Sequence, residues 1–351
     1  MRIALTADPE LPVPPELYGG IERIIDTLVR GLIARGHEVT LFAHPASQTP
    51  CDLVPYVALN GNSKKALLDN LRLVSTRIPK GEYDLVHSFG RLAYLLPILP
   101  SSLPKLMSYQ RSITPRSVFW SERLARGSLH FAGCSKRLIE DFAGRENWHV
   151  VYNGVPLSTY AFQRSVNAAA PLVFLGRIEE IKGPQMAIEI ARQTGRRLVL
   201  AGNVSHEPKH RAFFENEIAP HIDGRQVEYA GPVNNEQKNK LLGEAAALLM
   251  PILWEEPFGI VMAEALACGT PVIGLRRGSV PEVVEDGVNG FVCDSIDDMV
   301  VAVGRLTEVD RQVCRDVMEE RFSDRAMTDS YEELYRGMIN AAPVTKSSSH
   351  N

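Results

Sequence analysis

The sequence predicts an α/β protein made of two doubly wound, parallel-sheet domains of Rossmann type, and three observations carry that prediction. The chain has 351 residues, too many for one ordinary core and suited to two domains of about 150 residues each. Short, continuous apolar runs alternate with stretches of helical periodicity, the pattern of parallel strands covered by helices on both faces. A stretch of small residues with weak periodicity, 156–171, divides these alternations into two halves.

In the first half, strands are expected at 3–7, 39–43, 85–87, 106–109, 129–132 and 150–152. The second half repeats the pattern at 172–175, 198–201, 227–230, 247–250, 272–275 and 291–293. The expected organisation is an N-terminal domain over 1–160 and a C-terminal domain over 161–324. A helix at about 325–340 packs back onto the first domain, and 341–351 is a flexible polar tail ending in PVTKSSSHN. Two such domains in series create an interdomain cleft between the carboxyl ends of their sheets, where nucleotides are the commonest ligands.

Composition narrows the class. Hydrophobic residues make up 45% and charged residues 23%, the profile of a folded globular protein. The richest apolar stretch, 92–103, is broken by Pro97 and Pro100, so no membrane span is expected. The opening MRIALTADPELP has no apolar core of a secretory leader. Five scattered cysteines without C-x-x-C spacing read as reduced core residues, and a cytoplasmic location is expected. Residues 1–165 carry 19 Lys and Arg against 14 Asp and Glu, a balance of +5; the remainder carries 19 against 28, a balance of −9. A basic half suits an anionic surface or acceptor, and equally two surfaces of different composition.

The strongest local signal is Glu256-Pro-Phe-Gly-Ile-Val-Met-Ala-Glu264, which follows the strand at 247–250 and opens a helix. Pro257 suits the first helical position, so the amides of Phe258, Gly259 and Ile260 face outward at a helix N-terminus that favours a phosphate. Glu256, at the strand's carboxyl end, points into the cleft, and Glu264 tilts back toward it from two turns later. Carboxylates so placed accept hydrogen bonds from sugar hydroxyls; alternatively, Glu264 pairs on a helix surface and Glu256 is a solvated loop acid. Near the start, Tyr18-Gly19-Gly20-Ile21-Glu22-Arg23 closes the first loop and opens a helix, where Gly19 and Gly20 let the backbone approach a ligand closely. It is not G-x-G-x-x-G, so an oxidoreductase type of dinucleotide site is not supported.

After Glu264 come ALACGTPVIGL and RRGSVPEVVEDGVNGFV. With YGGIER, RGHEVTLFA, VYNGV and GRIEEIKG, this sequence resembles the family 4 glycosyltransferases, which have the GT-B architecture and an E-x7-E signature at this place. The resemblance covers most of the chain and is strongest over 150–292. It implies that Arg177 and Lys182 grip the donor diphosphate, that Glu264 accepts from the ribose and that Glu256 faces the transferred sugar. It further implies that Gly19 and Gly20 approach the donor, and it puts Val233 at the edge that binds the base. One departure concerns the first domain: Val86-His87-Ser88-Phe89 stands where many members have H-x-H, so Phe89 replaces the second His. His87 is then a catalytic candidate or a hydrogen-bonded core residue. Arg91 and Arg111, the latter beside Gln110, are candidates to line the acceptor side.

The resemblance implies retention of configuration by front-side displacement, a nucleotide-diphosphate sugar as donor (a UDP-sugar by prior) and a small-molecule, saccharide or lipid-linked acceptor. No Asp-x-Asp occurs, so cations are expected to do the work of a metal, with no metal or other cofactor bound. His206 and His210 have no Cys or Glu to complete a metal site. No nucleic-acid partner is expected, and the oligomeric state stays open. Two rivals remain: an epimerase or phosphorylase of the same architecture, and a non-catalytic nucleotide-sugar-binding protein. Finally, Arg111, Arg116, Arg123 and Arg126 surround Phe119-Trp120 at a spacing that fits a peripheral membrane contact, or a solvated helix with a core-facing Trp.

Overall fold

The computed structural model describes residues 1–15, 19–60 and 63–341; Tyr18 and the tail from 342 onward lie outside the described residues. The chain forms two compact units, one of Met1–Tyr152 with the chain from Met327, the other of Asn153–Ala326.

The first unit holds seven strands: β1 (Arg2–Thr6), β2 (Glu38–Ala43), β3 (Asp52–Pro55), β4 (Leu85–Ser88), β5 (Lys105–Tyr109), β6 (Leu129–Gly133) and β7 (Trp148–Val150). They pair in the order β3-β2-β1-β4-β5-β6-β7, all parallel. Helices α1 (Gly20–Ala34), α2 (Lys64–Arg77) and α3 (Pro115–Ala125) are the crossovers. On α1, Ile24, Ile25, Leu28, Val29 and Leu32 are buried, a stripe at helical spacing. The apolar runs marked five of these strands. β3 escaped because it is a short edge strand, half exposed and without a continuous apolar run. β7 lies two residues before its expected place, because Trp148 anchors it by stacking on Phe142 and Phe131 with ring centroids 4.0 and 4.5 Å apart.

The second unit holds β8 (Leu172–Leu175), β9 (Leu198–Ala201), β10 (Val227–Gly231), β11 (Ala247–Met250), β12 (Val272–Leu275) and β13 (Gly290–Cys293). Their order is β10-β9-β8-β11-β12-β13, again parallel throughout. The covering helices are α4 (Pro184–Thr194), α5 (Pro208–Phe213), α6 (Asn235–Glu244), α7 (Ile260–Ala267), α8 (Val280–Val283), α9 (Ile296–Gly304) and α10 (Arg311–Arg321). α11 (Asp324–Ala341) starts in this unit and belongs to the first from Met327. Both sheets reverse their winding at the central pair, β1 with β4 and β8 with β11, which makes these the switch points where such sheets open a crevice.

The units divide at 152/153, earlier than the boundary read from composition at 160/161. Hydrogen bonds explain the difference: Val155 N donates to Phe322 O at 2.9 Å, and Asp324 N donates to Val155 O at 3.1 Å. The Tyr160 hydroxyl donates to Glu264 at 2.7 Å. Arg311 then fastens the following segment. Its buried guanidinium donates to Gln163 O at 2.7 Å, Ala245 O at 2.9 Å, Gly243 O at 3.0 Å and the Thr270 hydroxyl at 2.8 Å. One side chain thereby satisfies three carbonyls and a hydroxyl. Arg311→Met is expected to destabilise the second unit by about 3 kcal/mol, because buried carbonyls lose their donor. Urea unfolding of the purified variant tests this, and a loss below about 1 kcal/mol would dismiss the role.

Candidate functional site

At the switch point of the second unit, the loops leaving β8 and β11 touch through their backbones. Gly183 has φ +78°, and a Cβ there would lie 2.0 Å from Pro251 O, so a side chain is excluded on two grounds. Leu253 N donates to Ile181 O at 2.8 Å, a second tie between the same loops. That crossing delivers Lys182 to the segment after β11. Its Nζ lies 2.5 Å from Glu256 Oε2 and 4.7 Å from the centre of the Trp254 ring, while Trp254 Nε1 donates to the same oxygen at 3.0 Å. Glu256 is only 8% exposed, which answers the solvated-acid alternative: a carboxylate this buried needs the cation beside it.

The loop holding Glu256 is clasped from the other side. Gly278 has φ +54°, and a Cβ on it would stand 2.3 Å from both N and O of Glu256. Gly278 N donates to Glu255 Oε2 at 2.7 Å and Ser279 N to Glu256 O at 2.9 Å. The helix that follows begins later than the sequence suggested. Gly259 is the N-cap and Ile260 the first residue of α7, so Pro257 and Phe258 precede the helix. The backbone turns at Gly259, φ +66°, instead of starting the helix at the proline. The outward amides are therefore those from Ile260 onward, and of the expected trio Phe258 and Gly259 precede the helical turn.

Glu264, one turn into α7 and 4% exposed, lies between the Tyr160 hydroxyl and Lys238 Nζ, which forms a salt bridge with it. Lys238 also stands over the Tyr160 ring at 5.6 Å. Its place comes from α6, where Asn234 and Gln237 form a capping box that fixes the first turn. Lys238, Tyr160 and Trp254 were not singled out in the sequence. The capping box was a visible signal for the first; nothing local marks the other two. The two acids of the signature thus share one design, a buried carboxylate with one lysine and one aromatic donor. Arg177 is bonded to Glu179 at 2.7 Å, with its side chain 36% exposed on the loop that carries Lys182. Val233 follows β10 and is half-buried just before α6.

In the first unit, Gly19 caps α1 and Gly20 opens it, with open space where a Gly20 side chain would stand. Glu22, in the first turn, is 8% exposed, and burial raises its carboxyl above the usual range. Arg111 pairs with Asp8 at 2.5 Å and Arg91 with Glu10 at 3.5 Å. Phe89, Arg91, Gln110, Arg111 and Ser117 line a cleft of about 260 Å³ at the carboxyl ends of β4 and β5. His87 does not reach it. Wholly buried, its Nδ1 shares a hydrogen bond with the Tyr335 hydroxyl at 2.6 Å and its Nε2 with the Ser108 hydroxyl at 2.7 Å. The Phe89 ring covers it at 4.2 Å. The core alternative describes this residue, and no chemical step is assigned to it. His210 faces Glu207 at 3.5 Å, and among the described residues no cluster of three or more His, Cys, Asp or Glu could hold a metal. Among the described residues no helix is long and apolar enough to cross a membrane.

Two parallel Rossmann-like sheets, each with a central switch point, match the GT-B architecture of solved glycosyltransferases. Solved structures share the fold along nearly the whole chain. AviGT4, a glycosyltransferase involved in Avilamycin A biosynthesis, superposes with a TM-score of 0.73 at 24% identity, covering 97% of this chain and 98% of that one. Anabaena Alr3699/HepE, solved in complex with UDP-glucose, gives 0.72 at 18% identity, covering 96% and 100%. By sequence, the D-inositol 3-phosphate glycosyltransferase of Xylanimonas cellulosilytica is 26% identical over 93% of this chain and 92% of its own length. Spore coat protein SA of Bacillus subtilis is 24% identical over 88% and 90%. The model for Glycosyltransferase Family 4 matches residues 18–159 and that for Glycosyl transferases group 1 matches residues 164–312, so the chain belongs to the family 4 glycosyltransferases.

His87 yields a prediction of its own. Burial holds its imidazole well below the ordinary value of about 6.5, so at lower pH the unfolded chain takes up a proton that the folded chain refuses. The stability from neutral His87 is present above about 6.5 and is lost as pH falls. His130 and His149 are lowered by burial too and act in the same direction. In urea unfolding between neutral and mildly acid pH, His87→Gln should flatten the pH slope by up to about 1.4 kcal/mol per unit. Parallel slopes for the variant and the native chain would contradict this.

Proposed function

We propose that this glycosyltransferase moves a hexose from a nucleotide-diphosphate sugar to an acceptor hydroxyl with retention of configuration and without a metal ion. The observation that carries the reading is the pair of buried glutamates, Glu256 and Glu264, each held by a lysine and an aromatic donor beside the start of α7. Bound diphosphate competes with Glu256 for Lys182, and the sugar hydroxyls take the place of the lysine on the carboxylate. Arg177 adds a second cation, and the amides from Ile260 onward a partial positive charge. The bond from the anomeric carbon to the phosphate oxygen breaks while the acceptor oxygen bonds to that carbon on the same face. The acceptor proton passes to the departing phosphate oxygen, so no protein nucleophile is required. Charge gathering on the leaving group is what Arg177 and Lys182 stabilise. Val233, just after β10, is assigned to the base of the donor.

A UDP-sugar is the favoured donor, in keeping with the complexes formed by HepE. The acceptor is a small molecule, a saccharide or a lipid-linked glycan; Arg91 and Arg111 suit one bearing an anion, as the name of the inositol 3-phosphate enzyme suggests. The reaction is assigned to the cytoplasm. A second reading, a nucleotide-sugar-binding protein without turnover, draws on the burial of His87 and on Phe89. Thermal shifts with UDP-, GDP- and ADP-sugars, followed by donor turnover with and without acceptor candidates, separate the two: stabilisation without any hydrolysis or transfer supports the second.

Two outcomes are expected. Arg177→Ala and Lys182→Ala should each lower turnover about 100-fold or more, and activity should persist in excess EDTA. Activity within a few-fold of native in both variants would remove their diphosphate role, and Mg²⁺-reversible loss in EDTA would remove metal independence. The two glutamates should differ. Glu264→Gln should weaken binding of both UDP and UDP-sugar, because the ribose is unchanged by the reaction. Glu256→Gln should lower turnover and leave UDP affinity nearly intact. The reverse pattern, read by calorimetry and donor kinetics, would exchange the assignments.

A further inference from the structure

α3 separates its sides sharply. Val118, Ser121 and Ala125 are buried, and Val118 and Ala125 join the core of the first unit. On the other side Phe119 and Trp120 are 58% and 59% exposed and Leu124 is 47% exposed. Trp120 therefore does not face the core, the alternative that the sequence left open. The two aromatic rings meet edge to face with centroids 5.5 Å apart, a small apolar platform standing in water.

Charge around this platform has one sign. Arg116, Arg123 and Arg126 are exposed; Arg116 and Arg123 stand one turn before and one turn after Trp120, and Arg126 caps the end of the helix. Glu122, the single acid of α3, is turned inward, where it accepts from Asn147 Nδ2 at 3.0 Å and Trp148 Nε1 at 3.4 Å and pairs with Arg145 at 3.4 Å. No described carboxylate lies within 4.0 Å of Arg116, Arg123 or Arg126. Residues 105–137 hold seven Lys and Arg against one acid. An aromatic centre with a basic rim is complementary to an anionic bilayer: the rings settle at the boundary of headgroup and acyl chain, and the arginines reach the phosphates.

We propose that the outward face of α3 is a peripheral membrane contact that binds anionic lipid surfaces, with Phe119 and Trp120 inserted and Arg116, Arg123 and Arg126 on the headgroups. The contact is independent of the donor reading, since vesicle binding is measured without substrate. The experiment is co-sedimentation of the full chain with phosphatidylcholine vesicles, with and without about one-third phosphatidylglycerol, at low and physiological salt. Binding to the anionic vesicles alone, weakened by salt, is expected. Replacing all three arginines by Gln should lower it on the order of 100-fold, and F119S/W120S at least about 10-fold. Tryptophan emission should shift to the blue on binding in the native chain and not in Trp120→Phe, since Trp148 already lies in the core and Trp254 is held against Glu256 in the second unit. Circular dichroism of each variant establishes that it is folded. Equal binding to both vesicles, or unchanged binding by folded variants, would overturn the proposal. So would self-association abolished by F119S/W120S without any vesicle binding, which would assign the face to a second copy of the chain.

Discussion

The arrangement around Glu256 depends on two backbones passing in contact. The loop after β8 can meet the loop after β11 because Gly183 presents no side chain to Pro251 O, and the shared hydrogen bond between Leu253 and Ile181 holds them there. Only then does Lys182 arrive beside Glu256, which in turn is tolerable in a buried place only with that lysine and the Trp254 indole beside it. The same logic recurs at Glu264 with Lys238 and Tyr160. Charge in a poorly solvated crevice is stored in matched pairs, Lys182 with Glu256 and Lys238 with Glu264.

The first unit uses its charges differently. Arg91 and Arg111 reach toward solvent at the strand ends and are paired with Glu10 and Asp8. Where the family often has a second histidine, Phe89 closes over His87 and makes it part of an aromatic and hydroxyl cluster with Ser108, Tyr331 and Tyr335. The imidazole is thereby withdrawn from the cleft that Phe89, Arg91 and Arg111 line.

Much of this could be read from the sequence, for physical reasons that differ by feature. Strands buried on both faces announce themselves as apolar runs, so the two sheets were legible; β3 was not, because an edge strand needs no such run. The two glutamates were legible through their spacing and the strand before them. The start of α7 was not, because Pro257 suits a first helical turn and only the backbone turn at Gly259 delays it. Lys238, Tyr160 and Trp254 were hidden because a partner brought from another element leaves no local pattern. His87 needed coordinates, since a catalytic and a core histidine look alike until Tyr335, 248 residues away, is found on its ring nitrogen.

The division of the chain at 152/153 and 326/327 makes the second unit an insertion in the first. Its ends are neighbours, joined by a bridge between Val155 and Ser323, so residues 153–326 form a continuous module whose chain enters and leaves at one place. The first unit is discontinuous: Thr328, Tyr331 and Tyr335, which fill its interior, follow the inserted module in the chain. The partners that cover His87 and Gly31 are therefore supplied from beyond the inserted module. Removing the chain from Met327 onward would leave the second unit whole and strip the first of the helix that covers His87 and Gly31.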